Sequence, residues 1–514
     1  MAGRIENFVI VGGGTAGWMT ACFLQRVLTH GTGRKVKITV VESDDVGIIG
    51  VGEATIPSIR KMMLILGIPE SRLFTEADAT YKNALKLYDW IDIPKDGKRS
   101  FYYHAFDPPL AADGFDANTH WVALKDAGIE IPRLHDAVSI QAELCDHGRS
   151  PQQLNAQDYQ SPFPYAYHLD AVKLGRMLRT VAMERGVERI VDHVTNVKQA
   201  ENGDITALET RDGRTVEGDF FIDCTGFAAL LIEKTLKEPF VDFTDRLLCD
   251  RAIACQIPLT GEAPRPYTTC SAQTAGWTWE IDLTSRRGTG YVYSSQFISD
   301  DDAEAELLAF INPDGKHKDL TTRRLQMRIG RRRNCWVNNC VAIGLSAGFI
   351  EPLESTGIHL IELGVQVLVD YLGEGEAMPP LRDYYNQILG GVYEEIADFV
   401  QLHYIFNKRY GQPFWDAYRQ PSLSPNLQEQ MKVWAHRMPS RNDMRARVNV
   451  FDGYNYCAVM GGLGALPKNG TMSPFIDLKN SKMLLDQIAQ MRAEALRAFP
   501  PHAEILKKYK MEMA

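Results

Sequence analysis

Phe8-Val9-Ile10-Val11-Gly12-Gly13-Gly14-Thr15-Ala16-Gly17 carries a short apolar strand straight into a glycine turn. Gly12, Gly14 and Gly17 stand in G-x-G-x-x-G spacing. A helical pattern follows from Trp18 to Leu28, then a second strand from Val36 to Val41 that ends at Glu42. A β-α-β unit of this kind binds a dinucleotide. Gly12 allows the sharp turn, Gly14 lets the backbone approach a pyrophosphate, and Gly17 lets the helix pack close to the sheet, while the helix N-terminus attracts phosphate charge. Thr15 and Ala16 belong to the same turn, and Glu42 is placed to accept from ribose hydroxyls. Glycines also mark turns that hold no ligand, and the fingerprint alone does not separate NAD from FAD.

Two further small-residue turns favour FAD. Gly50-Val51-Gly52-Glu53-Ala54-Thr55 comes soon after the ribose carboxylate, where a longer cofactor has to be tracked, so Ala54 and Thr55 join the candidate site. Gly344-Leu345-Ser346-Ala347-Gly348 follows the strand Cys340 to Ile343 and precedes a helix, so its amides can meet the flavin end. Phe220-Phe221-Ile222-Asp223, followed by Cys224-Thr225-Gly226, reads as a returning strand of the same fold.

The 514 residues suffice for a large core in more than one layer. The 65 acidic against 56 basic residues leave a formal charge of −9, which speaks against a phosphate-binding surface for nucleic acid. The chain enters its first strand without a basic leader, and no run of about 18 apolar residues marks a membrane span. Nine scattered cysteines lack metal-ligand spacing, so a cytoplasmic protein with reduced thiols and no bound metal is expected. A homodimer stays compatible with the sequence.

Gly290 to Ser295 alternates like an antiparallel strand, and helical patterns cover Asp170 to Arg185, Gly357 to Leu372 and most of the chain after Leu381. The expected architecture is α/β: a Rossmann-like FAD-binding module with an antiparallel substrate-side sheet over residues 1–375, and a mainly helical C-terminal region over 376–514 that packs on the substrate site.

At this level of detail the chain resembles the flavin-dependent tryptophan and indole halogenases over nearly its whole length. Gly12 to Trp18 matches the family's opening and Gly52-Glu53-Ala54-Thr55-Ile56-Pro57 its second cofactor loop. Ala79-Thr80-Tyr81-Lys82 resembles the segment bearing its essential lysine. Gly276-Trp277-Thr278-Trp279-Glu280-Ile281 matches its W-x-W-x-I signature, and Phe349-Ile350-Glu351-Pro352-Leu353-Glu354-Ser355-Thr356-Gly357-Ile358 its F-x-x-P-x-x-S-x-G segment. The last two are far more specific than the glycine turn.

The resemblance implies that reduced FAD, O2 and a halide, chloride or bromide, yield hypohalous acid, which passes internally to Lys82. An ammonium there would hydrogen-bond the acid, whereas a neutral amine would form a haloamine; both are open to a buried lysine. Lys86 is the competitor, on the same face if the segment is helical. Glu354 matches the glutamate that stabilises the cationic ring adduct and accepts its proton; its structural alternative is a salt bridge or an interaction at the following helix start. Thr356 and Gly357 would bind halide through their amides. Val194, Leu345 and Ile358 fall to the cofactor by the same analogy. His104, Phe106 and Tyr454 would line the aromatic pocket, and Trp277 and Trp279 would wall the flavin off from the substrate.

Two departures stand out. Asp282 follows Ile281 where the signature ends in Pro, which removes a fixed φ. Asn449 to Val459 offers no equivalent of the charged clamp that dedicated tryptophan halogenases place on the amino acid, so a simpler indole or a larger tryptophan-containing molecule competes with free tryptophan. A flavin-dependent aromatic monooxygenase and a non-catalytic FAD-binding relative are the other readings, separated from the first by Lys82 and Glu354. The only dinucleotide fingerprint is assigned to FAD, so reduced flavin is expected to arrive by diffusion from a separate reductase.

Overall fold

Asn7–Val11, Lys37–Glu42 and Phe220–Asp223 are apolar over most of their length, as strands covered on both faces must be. In the computed structural model, which describes residues 5–29, 35–47, 52–259, 261–373, 378–468 and 472–511, they lie side by side. The sheet has six strands in the order Glu188–Val191, Lys37–Glu42, Asn7–Val11, Phe220–Asp223, Cys340–Ala342, Trp336–Val337, parallel except for the last. Phe8 pairs with Ile38 on one side and Phe220 on the other. Ile10 faces the helix Thr15–Thr29 at Gly17, and that helix packs with Ala171–Glu184 and Gly357–Tyr371. Val9, Val11, Val41 and Phe221 face the other way, where Ile205, Leu208 and Val216 of a small antiparallel sheet cover them. This unit comprises residues up to 78, 169–243 and 328–394.

The second unit comprises 79–168, 244–327 and 395 onward. Its seven-stranded sheet runs Thr322–Gln326, Arg251–Pro258, Arg286–Tyr293, Gly276–Asp282, Thr268–Gln273, Ala84–Tyr88, Phe101–Ala105. Every pairing is antiparallel except Thr268–Gln273 beside Ala84–Tyr88. The helix Leu478–Ala498 packs on Ala117–Asp126 through Leu484, Ile488, Ala495 and Ala117. The helix Gly453–Gly462 lies against Phe101–Ala105, where Gly462 meets the Tyr102 ring.

The division therefore differs from a cut after residue 375. The antiparallel sheet groups with the C-terminal helices that pack on it, because none of its strands joins the parallel sheet. Residue 375 itself, like Gly50 and Val51 of the second small-residue loop, lies outside the described residues. The segment around Lys82 and Lys86 is two strands, Thr80–Lys82 and Ala84–Tyr88, rather than a helix. Among the described residues no helix is long and apolar enough to cross a membrane.

Candidate functional site

The glycine turn divides its glycines by what each is for. A Cβ on Gly12 would sit 2.2 Å from the Cys224 carbonyl oxygen, at a φ of +112°, and one on Gly17 would sit 1.9 Å from the Gly12 oxygen. Both are demanded by the protein's own packing. A Cβ on Gly14 meets nothing within 4 Å, so packing does not require glycine there. A bare, partly exposed backbone at the first turn of a helix fits an approaching pyrophosphate. Thr15 Oγ1 donates to the Ala171 carbonyl. Gly344, at a φ of +78°, brings the third loop against Ala16, where a Cβ would lie 2.9 Å from the Ala16 methyl. Leu345 is half-buried beside it. Two loops more than 300 residues apart thus form one cradle, and the residues present fit FAD.

Glu42 closes the cradle in this structure. Its carboxylate folds over Gly13, accepts the Trp18 indole N–H at 3.2 Å and pairs with Arg189. Asp223 serves the fold rather than a ligand. It accepts Thr225 N and Oγ1, and the Leu231 and Ile232 amides at 2.7 and 2.8 Å, which caps the next helical turn. Ala54 is half-buried and Thr55 buried. Val194 packs against the core cluster around Val9 and Val41.

Glu354 ends a 3-10 turn, Pro352–Glu354, and is buried. Ser355 takes a left-handed φ of 60°, and Thr356 caps the helix Gly357–Tyr371 without a side-chain hydrogen bond. Nothing lies within 4 Å of a Cβ on Gly357. Ile358 is buried directly behind it. Glu354, Thr356 and Gly357 therefore share one helix start with open space at Gly357.

Lys82 is fully buried, with Nζ 5.3 Å from the centroid of the Phe106 ring. Its strand pairs Lys82 with Ala166 and Thr80 with His168. Burial, and next the charge of Lys82, push the His168 imidazole well below its usual range, so the neighbouring ring is neutral. Lys86 is committed elsewhere: it pairs with Asp146 at 2.7 Å, and the Phe101 and Tyr103 rings lie 4.2 and 4.8 Å from its Nζ.

His104 faces away from that cluster, because successive strand residues alternate. Asn455 Nδ2 lies 3.0 Å from His104 Nε2, and the Phe399 and Phe451 rings lie 5.5 and 6.3 Å from the imidazole. Phe399 and Phe451 stack at 3.8 Å. Tyr454 lines a different cleft, with Tyr103, Asp107 and His135, on the opposite face of the strand Phe101–Ala105. Sequence reasoning missed Phe399, Phe451 and Asn455. Two of them lie inside the stretch 449–459 that stands out in the sequence, but Phe399 comes from a helix with no local signal.

Glu395 fixes this group. One turn before Phe399, its carboxylate accepts the Val450 amide at 3.1 Å and the Phe451 amide at 3.0 Å. Burial pushes the carboxyl from 4.5 up to about 7; the two amides oppose this, and Asp398 and Asp452 reinforce it. The folded chain then keeps a proton that the unfolded chain has released, so stability falls as pH rises from about 4.5 to about 7. A shift of this size corresponds to about 3 kcal/mol. Glu395→Gln is expected to lose less melting temperature between pH 5 and pH 8 than the unsubstituted protein. Equal slopes would refute the assignment.

Trp277 and Trp279 lie on one face of the strand Gly276–Asp282, with ring centroids 6.4 Å apart. Trp279 is seated over Gly290, where a Cβ would come within 2.0 Å of its ring. Asp282, at the end of this strand, is fully buried. Its carboxylate accepts Arg265 Nε and Nη2, each at 3.0 Å, and Arg287 Nε at 2.6 Å. Burial alone would raise it, but the two guanidiniums hold it well below the usual carboxylate range. Ion pairing thus stiffens the position where a proline would fix φ. No group of His, Cys, Asp and Glu able to hold a metal occurs among the described residues.

The cradle formed by Gly12 to Gly17 and the Gly344 loop is that of a dinucleotide-binding protein. A family model described as tryptophan halogenase matches residues 7–478. The chain is 37% identical over 484 residues to tryptophan 6-halogenase SttH of Streptomyces toxytricini, covering 90% of each. It is 35% identical over 491 residues to tryptophan 7-halogenase RebH of Lentzea aerocolonigenes, covering 91% of each. The solved structure of Tar14, a tryptophan C-6 flavin-dependent halogenase from taromycin biosynthesis, superposes with a TM-score of 0.92 at 36% identity, covering 98% of this chain and 100% of that one. The chain belongs to the tryptophan halogenase family and is a flavin-dependent halogenase.

Proposed function

We propose that this enzyme halogenates an indole derivative or tryptophan, with hypohalous acid carried to Lys82 and delivered from there. The observation behind this reading is a fully buried lysine set against Phe106 and a neutral His168. Bound in reduced form, FAD supplies the electrons that let O2 oxidise chloride or bromide to hypohalous acid. Gly12, Gly14, Thr15, Ala16, Gly17, Glu42, Ala54, Thr55, Val194, Leu345 and Ile358 would hold it. The amides of Thr356 and Gly357 hold the halide.

Lys82 orients the acid so that its halogen points at one ring carbon. His104 and Phe106 orient the aromatic ring, whereas Tyr454, in the separate cleft with Tyr103 and His135, takes no part. The carbon–halogen bond forms as the halogen–oxygen bond breaks, and with Lys82 present as the ammonium the departing hydroxide takes its proton and leaves as water. Glu354 stabilises the cationic ring and takes the proton from the substituted carbon. Trp277 and Trp279 keep the cofactor chamber from the substrate.

Reduction is assigned to a separate flavin reductase that supplies reduced FAD by diffusion, in a reducing cytoplasmic setting that suits nine free, buried cysteines. Rapid NADH oxidation by the purified chain would overturn that. The whole reading is tested by incubating the protein with a flavin reductase, FAD, NADH, bromide or chloride, and a panel of indoles. Mass spectra with the halogen isotope pattern are expected. Hydroxylated products without halogen would favour a flavin-dependent aromatic monooxygenase instead.

A further inference from the structure

The strand that carries Lys82 is closed on one edge by Ala166–His168. Its other edge presents the amides of Tyr81 and Asn83 to the segment Pro264-Arg265-Pro266. Asn83 N donates directly to the Pro266 carbonyl at 2.8 Å. One rung earlier the two backbones do not meet, and the prolines on this segment have no N–H to offer a ladder. The gap is filled by an imidazole. Tyr81 N donates to His502 Nε2 at 3.1 Å, and His502 Nδ1 lies 2.8 Å from the Pro264 carbonyl.

An amide can only donate and a carbonyl can only accept, so the tautomer is fixed: Nδ1 carries the hydrogen and Nε2 the lone pair. His502 is buried, and burial holds it down to about 4, against the pull of the Pro264 carbonyl and Asp282. Its lone pair is therefore kept at working pH. The same helix, His502–Met511, grips Tyr81 again where Tyr509 OH meets Tyr81 OH at 3.2 Å.

The far side of the bridge is anchored too. The Arg265 amide donates to Asp282 Oδ2 at 3.0 Å, and Thr80 Oγ1 donates to the Asp282 carbonyl at 2.6 Å. Asp282 thus fixes the rail from which His502 hangs, and Lys82 sits between the two rungs.

We infer that His502, which lies beyond the span matched by the family model, is a positioning residue for Lys82, bridging its strand to the Pro264–Pro266 rail. This rests on Lys82 being the lysine that delivers the halogen. Loss of the bridge frees the backbone next to Lys82 without touching the cofactor cradle. Hypohalous acid is then made at the normal rate but reaches the substrate less often.

The test compares His502→Asn, which keeps a donor for Pro264 but no acceptor for Tyr81, with His502→Gln, whose Oε1 can take the place of Nε2. Each is assayed with reductase, FAD, bromide and an accepted indole, in the presence of a soluble scavenger that traps free hypohalous acid. For His502→Asn, kcat for halogenated product is expected to fall on the order of ten- to a hundredfold. The trapped acid should rise to compensate, with KM for the indole unchanged, and His502→Gln should recover most of the loss. An unchanged ratio of product to trapped acid in His502→Asn, or an equal loss in both variants, overturns the proposal. If neither variant folds, hydrogen exchange in the native protein decides: strong protection of the Tyr81 amide supports the bridge and fast exchange refutes it. Lys82→Ala, run in parallel, separates the two claims, since full activity there sinks the reading of Lys82 and not merely that of its mount.

Discussion

Lys82→Ala is expected to abolish halogenated product, a loss of at least about a thousandfold, the upper range for removing a preorganised donor at a reacting centre. Flavin binding and halide-dependent oxygen consumption should persist, because the cradle is built from Gly12 to Gly17 and the Gly344 loop and contains no part of the lysine strand. The acid should appear in solution instead, captured by a scavenger. Lys82→Arg then distinguishes the two chemistries left open for the lysine. A guanidinium stays charged in proteins, so it can hydrogen-bond the acid but cannot form a haloamine. Partial activity in Lys82→Arg means that an ammonium holds the acid; none, in a protein that still folds, favours the amine. The larger side chain enters a fully buried site, where overpacking typically costs about 1–3 kcal/mol, so melting temperature must be measured alongside.

Glu354→Gln is expected to lower kcat by roughly 10²–10⁴, the usual contribution of a positioned acid or base. Glutamine keeps the shape of a side chain that is 1% exposed while removing its charge and its capacity to take a proton. Binding of the aromatic should change little, so the effect belongs in kcat rather than KM. If Glu354 instead only steadies the helix start at Gly357, melting temperature will drop and kcat per folded enzyme will hold. Competition between deuterated and protiated substrate adds a second reading: slow proton removal in Glu354→Gln should produce an isotope effect that the unsubstituted enzyme does not show.

Much of the nucleotide-binding unit can be read directly from the chain. A glycine turn is a local device, and the strand before it and the helix after it are contiguous, so Asn7–Val11 and Lys37–Glu42 fall within a residue of where spacing puts them, while the helix Thr15–Thr29 starts three residues ahead of Trp18. The helix at Gly357 and the returning strand Phe220–Asp223 are equally legible. The lysine segment is harder. Two short strands broken at Asn83 have no period long enough to detect, and i,i+4 spacing suggests a helix. What surrounds His104 is invisible in the sequence, since Phe399 and Asn455 are brought to it from far along the chain by tertiary packing. Asp282 stands out as a missing proline, but its worth depends on Arg265 and Arg287, which only the folded sheet brings within reach.

The two units draw on alternating stretches of chain, with crossings after residues 78, 168, 243, 327 and 394. In the parallel sheet, residue 10 pairs with 222, which in turn pairs with 341. No growing chain can finish that sheet until about two thirds of it has left the ribosome. Contact order is therefore high, and folding is expected to be slow and post-translational, with apolar edges such as Phe8 to Val11 waiting for their neighbours. Yield of active enzyme should accordingly respond more to growth temperature and chaperone supply than to transcript level. Fragments cut at any single point between residues 80 and 393 contain neither unit whole and should fail to give either one.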